Sequence, residues 1–247
     1  MPRYRWLPAI TAVFVTTLIV SNIIAVKLVA IGPLILPAAV ILFPIAYIFG
    51  DVLTEVYGYA RARQVIWTGF ACNLLAVVAI WIAGLLPAAP FWDAGLYDTP
   101  AAAQQAYQAI LGFTPRLLFA SFIAYLFGEF LNAFVLARMK LATQGRYLWA
   151  RTIGSTLVGQ LADSAIFITL AFIGTIPAAE LGRLIVTQWL VKSAYEALAT
   201  PLTYAVVNYL KRVEQEDYYD RQTDFNPFRL SHAGDYRQND RVPGNQP

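Results

Sequence analysis

Glu129, Gln160, Asp163, Lys192 and Glu196 stand inside otherwise apolar stretches, and they are the side chains whose chemistry most needs explaining. With each stretch read as a membrane-crossing helix, the three acids and Gln160 fall within about two turns of the bilayer midplane, and Lys192 lies one turn outward. A charged group at such a depth costs roughly 2.5–3.5 kcal/mol on insertion scales, so each needs a partner, a proton or a wet cavity. Two readings follow. Lys192 and Glu196, at i and i+4, could neutralise each other and leave Asp163 and Glu129 protonated or hydrogen-bonded. Alternatively, the set faces a small polar solute. A guanine-like edge offers adjacent N–H donors to one carboxylate, Gln and Asn amides serve a carbonyl or ring nitrogen, and Phe or Tyr rings stack on the heterocycle. Asn22, in the first apolar stretch, belongs to the same candidate substrate-binding set. An amine, a cation or a proton relay would use the same acids, so residue types alone do not name the solute.

A second constellation lies in FPIAYIFGDVLTEVYGYARAR, Phe43 to Arg63. An apolar helix runs into Asp51, Thr54 and Glu55, with the two acids at i and i+4 on one face. Gly58 then supplies a stop, and Arg61 and Arg63 an anchor on the cytoplasmic side. As a gate, Arg61 or Arg63 would fold back onto Asp51 and Glu55 when the site is closed to the inside. The plain alternative is a pair of solvated acids that end and anchor the helix.

Other chemistries lack their residues. The single Cys72 sits in an apolar run and the single His232 in a polar tail, so no disulfide framework, zinc or haem site can be assembled, and neither a metal nor a cofactor is expected. A nucleophilic enzyme has no Ser/His/Asp or Cys/His set, and the paired-acid signature of an aspartyl enzyme is not evident. There is no GxxxxGK[ST] phosphate loop, so ATP drive would require another chain. The net charge of +3 comes from basic residues beside apolar runs, which report topology rather than nucleic acid.

The elements that must position these residues are membrane helices. Of 247 residues, 58% are hydrophobic and 13% charged, against about 25% charged in a soluble domain. The runs predict an all-α membrane protein with six transmembrane helices at about 7–31, 34–57, 65–86, 116–137, 152–176 and 183–210. Pro33 and Pro37 open the second, and Ala120, Ala124 and Gly128 form a close-packing seam on the fourth. Thr99 and Pro100 are start signals for a short interfacial helix in the connection between spans three and four. Asn73 in the third is either a packing residue or a ligand. Arg3, Arg5, Arg61, Arg63, Arg138, Lys140, Arg146, Arg151, Lys211 and Arg212 fall on one side, and only Arg183 is assigned to a loop on the other. Both termini are therefore expected in the cytoplasm, with 213–247 a flexible tail.

These motifs resemble one known family over about residues 18 to 210. SNIIAVKL at Ser21 to Leu28, FPxxYxxGDxxTEVYG from Phe43 to Gly58 with Arg61 and Arg63 beyond, ASFIAYLFGE at Ala120 to Glu129, STLVGQLADS at Ser155 to Ser164, and Lys192 with Pro201 are similar to the queuosine precursor transporters, also described as VUT-type vitamin uptake transporters. The resemblance implies uptake of 7-cyano- or 7-aminomethyl-7-deazaguanine across a bacterial inner membrane, by a multi-pass protein that is not an enzyme. It places Asp51, Thr54, Gly58, Asp163 and Lys192 at the family's characteristic positions, with Glu55 and Glu129 matching less uniformly. The implied partners are the solute and the bilayer, with a homo-oligomer left open. The alternative is a substrate-capture subunit of an energy-coupling-factor complex for another vitamin-like or nucleobase-like solute.

Overall fold

A computed structural model describes residues 4–31, 34–93, 95–112, 115–174, 177–221 and 223–229. The described residues form seven α-helices: α1 Leu7–Ile24, α2 Phe43–Tyr57, α3 Tyr59–Leu85, α4 Pro100–Leu111, α5 Pro115–Ala142, α6 Leu148–Phe172 and α7 Ala178–Glu214. The described residues are thus all-α but for one antiparallel hairpin, β1 Leu28–Ile31 with β2 Leu34–Pro37, paired Leu28 to Pro37 and Ile31 to Leu34.

That hairpin corrects the first two expected helices. The first ends at Ile24 rather than near residue 31, and the second begins at Phe43 rather than 34, after a 3-10 turn over Ala38–Ile41. Apolar residues from 28 to 42 serve a β ladder as well as a helix, and composition alone does not separate the two. Pro37 is the last residue of β2 rather than a helix opener, and Pro33 lies outside the described residues. With 15 residues, α2 is about 22 Å long, shorter than the apolar core of a bilayer. Among the described residues, four helical segments are long and apolar enough to cross a membrane: Leu7–Ile24, Tyr59–Leu85, Leu118–Ala142 and Leu148–Phe172.

The short helix forms as expected, with Thr99 as cap: its side chain accepts from the Ala102 N–H at 3.2 Å. On the basic side the helices run longer than their apolar stretches. Arg138, Lys140 and Arg151 belong to α5 and α6, leaving only Arg146 in the turn between them. Such a helix end is stable because the charges of Lys140 and Arg151 are met by the buried Glu55, with Asp217 as a second partner of Lys140.

The closest helix packing joins α5 to α6. A Cβ on Gly128 would come 2.9 Å from Asp163 Cβ, and one on Gly159 would come 2.9 Å from the Gly128 carbonyl oxygen. Only residues without a side chain permit that approach. Ala120 and Ala124 on the same seam are buried.

The start of α1 meets the end of α7. The Arg5 and Trp6 N–H groups donate to the Glu214 carboxylate at 3.0 and 2.6 Å, and Tyr57 Oη donates to it at 3.1 Å. The tail does not begin as a flexible segment at 213. Residues 215–221 and 223–229 lie across the ends of α2, α3 and α5, as a strap held by buried bonds; His232 and the rest of 230–247 lie outside the described residues. Arg63 Nη1 donates to the Asp224 and Asn226 carbonyls at 2.8 Å, and Trp67 Nε1 to the Pro227 carbonyl at 2.7 Å. The strap is polar in composition because it covers backbone and charged helix ends, and Tyr218, Tyr219 and Phe225 supply its apolar contacts.

Candidate substrate site

A cavity of about 290 Å³ lies among α1, α2, α5, α6 and α7. Asn22, Glu129, Gln160, Asp163 and Lys192 line it, together with Ser121, Tyr125, Asn132, Thr156, Phe167 and Gln188. Five of the six residues expected to bind substrate therefore share one wall. The seam at Gly128 and Gly159 explains why, since it draws the polar side chains of α5 and α6 together across a backbone-to-backbone contact.

Each side chain is held differently. Asn22 Nδ2 donates to Asn73 Oδ1 at 2.9 Å, which fixes one amide against another and gives Asn73 its role as an interhelical bond. Gly50 leaves room for Glu129, whose Oε2 would sit 3.5 Å from a Cβ placed there. Tyr125 Oη donates to the Ile66 carbonyl at 3.1 Å and ties the cavity wall to α3. Asp163 Oδ2 accepts from Lys192 Nζ at 2.5 Å, joining α6 to α7. Gln160 Oε1 is buried and has no hydrogen-bond partner among the described residues.

Two expectations change here. Lys192 pairs with Asp163 across helices rather than with Glu196 one turn along its own helix. Glu196 is buried behind the cavity and is not part of its wall. Helical spacing puts Lys192 and Glu196 within reach, but the packing of α7 against α6 brings Asp163 close enough to take the amine.

The motif from Phe43 to Arg63 splits into separate environments. Asp51 Oδ1 accepts from Asn132 Nδ2 at 3.2 Å, just behind the cavity, and Thr54 Oγ1 donates to the Gly50 carbonyl at 3.4 Å. Glu55, one turn on, is 0% exposed and meets three cations: Arg151 Nη2 at 2.6 Å, Lys211 Nζ at 2.7 Å and Lys140 Nζ at 3.7 Å. Arg61 and Arg63 do not supply those charges. Arg61 donates to Gln64 Oε1 at 3.1 Å and lies over the Tyr4 ring, while Arg63 is buried beneath the strap. Gly58 ends α2 with φ +84° and ψ 164°, a conformation open essentially to glycine.

Lys140 Nζ and Lys211 Nζ also reach Asp217 on the strap at 2.6 and 2.9 Å. Burial raises the Asp217 carboxyl pKa, but those two ammonium groups outweigh it and hold the group below its ordinary value. Asn132, Thr152 and Thr156 were not singled out from the sequence. Their signal is positional: Asn132 lies one turn beyond Glu129, and the two threonines precede Gln160 by one and two turns on the same helix.

Residues 37–206 match the family described as "Putative vitamin uptake transporter". The chain belongs to that family. It is 31% identical over 186 residues to the "Probable queuosine precursor transporter" of Bacillus subtilis (strain 168), covering 75% of this chain and 77% of that protein. It is also 27% identical over 133 residues to the "Queuosine precursor transporter" of Escherichia coli (strain K12), covering 53% and 52% of the two chains. No solved structure matches the chain at a significant level. As a member of the vitamin uptake transporter family the protein is a multi-pass membrane transporter and not an enzyme.

Proposed function

We propose that this transporter takes up 7-cyano-7-deazaguanine or 7-aminomethyl-7-deazaguanine across a bacterial inner membrane, and that the cavity holds the heterocycle. The observation that carries the reading is the pairing of an unoccupied acceptor with a carboxylate in one cavity. Gln160 Oε1 is a buried acceptor without a donor among the described residues, and Asp163 is held at the same cavity by Lys192. The ring and exocyclic N–H groups of a deazaguanine would bond to both. The Lys192 ammonium, displaced from Asp163, is then a donor for the ring carbonyl. Glu129 and Asn22 complete the polar rim, while Tyr125 and Phe167 offer faces for stacking. The cavity suits one bicyclic heterocycle. The relatives named as queuosine precursor transporters support the same solute class.

In this reading the protein spans the membrane six times, with α2 and its preceding hairpin forming one crossing and both termini in the cytoplasm. In a Cys72→Ser background, a cysteine at Asp98 is then labelled only from outside and one at Gln144 only from inside. The opposite labelling pattern inverts the topology. The substrate assignment is tested by uptake of both labelled deazaguanines into cells unable to make them, and failure of both to enter rejects it.

A further inference from the structure

The acids of the membrane region differ in what meets them. Glu55 is met by three cations, Asp163 by Lys192, and Glu129 faces the cavity. Asp51 on α2 and Glu196 on α7 differ. Each is 1% exposed, and neither lines the cavity. Asn132 donates to Asp51 Oδ1, but Asp51 Oδ2 and both Glu196 oxygens have no hydrogen-bond partner in bonding geometry among the described residues. Thr152 lies beside Asp51 and Thr156 beside Glu196, one turn apart on α6. The Thr152 hydroxyl is itself 0% exposed and unpartnered.

An ionised carboxylate accepts hydrogen bonds and cannot donate them, so burying two of them with one bonded amide N–H, two neighbouring threonine hydroxyls and no ion pair among the described residues is unfavourable. A carboxylic acid is neutral and brings its own O–H, for which the threonine hydroxyls are acceptors. We propose that Asp51 and Glu196 form a proton-binding site that couples solute movement to the proton gradient. In the conformation described, the acids hold their protons. Access runs from the cavity through Glu129 to Asn132, one turn further on α5, and on to Asp51. When the helices rearrange toward the opposite side, water reaches the pair and a proton leaves as a hydrated ion, so that one proton crosses with each solute and no bond to the solute is made. The surrounding charges fit this scheme. The other acids near the pair are Glu55 on α2, which is met by cations, and Glu129 on α5, which faces the cavity. The cations Lys140 on α5, Arg151 on α6 and Lys211 on α7 are held by Glu55, and Lys192 on α7 by Asp163. On α3, Arg63 is turned to the strap and Arg61 to Gln64, and the α1 segment carries no charged residue.

The proposal rests on the deazaguanine reading only for the transported probe, and two measurements on the full-length protein separate them. The first needs no solute. Infrared spectra at neutral pH should show protonated-carboxyl C=O intensity that falls in Asp51→Asn and again in Asp51→Asn/Glu196→Gln, with thermal unfolding in detergent near that of the parent, because amides replace neutral acids closely. Unchanged intensity in both variants overturns the proposal. Should a variant fail to fold, Asp51→Glu and Glu196→Asp retain the acid, and their spectra must keep the band. The second measurement uses proteoliposomes and 7-cyano-7-deazaguanine. A gradient of one pH unit, acid outside, should accumulate the probe about tenfold at one proton per solute. The amide variants should exchange the probe yet fail to concentrate it. Equal accumulation by the amide variants, or accumulation driven by sodium without a pH gradient, overturns the proton site. If the parent neither exchanges nor accumulates the probe, the substrate assignment falls, and the infrared result decides the proton site alone.

Discussion

The Tyr218 ring lies directly over Gly58, so that any side chain at Gly58 would overlap it, and the Tyr218 N–H donates to the Val56 carbonyl at 3.2 Å. This contact docks the strap on the junction between α2 and α3. Gly58 also adopts φ +84° and ψ 164°, where a non-glycine residue stores of order 1–3 kcal/mol of strain. Gly58→Ala should therefore lower thermal stability in detergent and release the strap, read as faster proteolysis after Glu214. A variant with parental stability and an intact strap would show that the junction tolerates both the conformation and the overlap.

Glu55 is the common acceptor of Lys140, Arg151 and Lys211, which come from three different helices. Removing one partner of a buried ion pair costs about 3–5 kcal/mol because the remaining charges stay buried. Glu55→Gln should accordingly lower the unfolding midpoint far more than Asp224→Asn, which loses only an exposed pair with Arg229 worth about 0–1 kcal/mol. Equal effects from the two substitutions would mean that water already screens Glu55.

Acid should loosen the strap through Asp217. Its folded carboxyl lies below the ordinary 3.8, because Lys140 and Lys211 outweigh the effect of burial. A group lowered in the folded state stabilises that state fully above its unfolded pKa, and the contribution disappears as pH falls through the folded value. Protection of the Tyr218 amide from hydrogen exchange, corrected for intrinsic rate, should hold near neutrality and decline below about pH 4. Asp217→Asn should show reduced protection that no longer responds to acid. A parental profile that stays flat into the acid range would exclude Asp217 as the latch.

The sequence was most readable where polarity was out of place. Asn22, Glu129, Gln160, Asp163 and Lys192 stood out because an apolar helix has no ordinary use for them, and they meet at one cavity. Their pairing was less readable. Lys192 is within helical reach of Glu196, but the packing of α6 against α7, which the sequence does not display, brings Asp163 to it. The hairpin at Leu28–Pro37 was hidden because its residues are as apolar as the helices around it. The strap was hidden for the opposite reason: it is polar overall, and its regular Tyr218, Tyr219 and Phe225 carry the contacts. The motif at Asp51 to Arg63 read as one unit, yet its members serve the cavity side, the ion cluster and the strap separately.

Asp163 and Lys192 offer a test that separates holding the helices from holding the solute. The pair is 2.5 Å apart, and both side chains are partly exposed to the cavity, so the charged hydrogen bond contributes on the order of 1.5–3 kcal/mol at most. Asp163→Asn leaves the Lys192 ammonium facing an amide, and should destabilise the protein. Asp163→Asn/Lys192→Gln removes both charges and lets two amides bond, so most of that stability should return. Transport should not return, because the carboxylate that accepts paired N–H donors is absent from both variants. The expected pattern is a favourable coupling in the double-mutant cycle for thermal stability, with at least tenfold weaker deazaguanine binding in every variant lacking Asp163. If the double variant regains binding along with stability, the pair only fastens α6 to α7, and the heterocycle must be recognised elsewhere on the cavity wall.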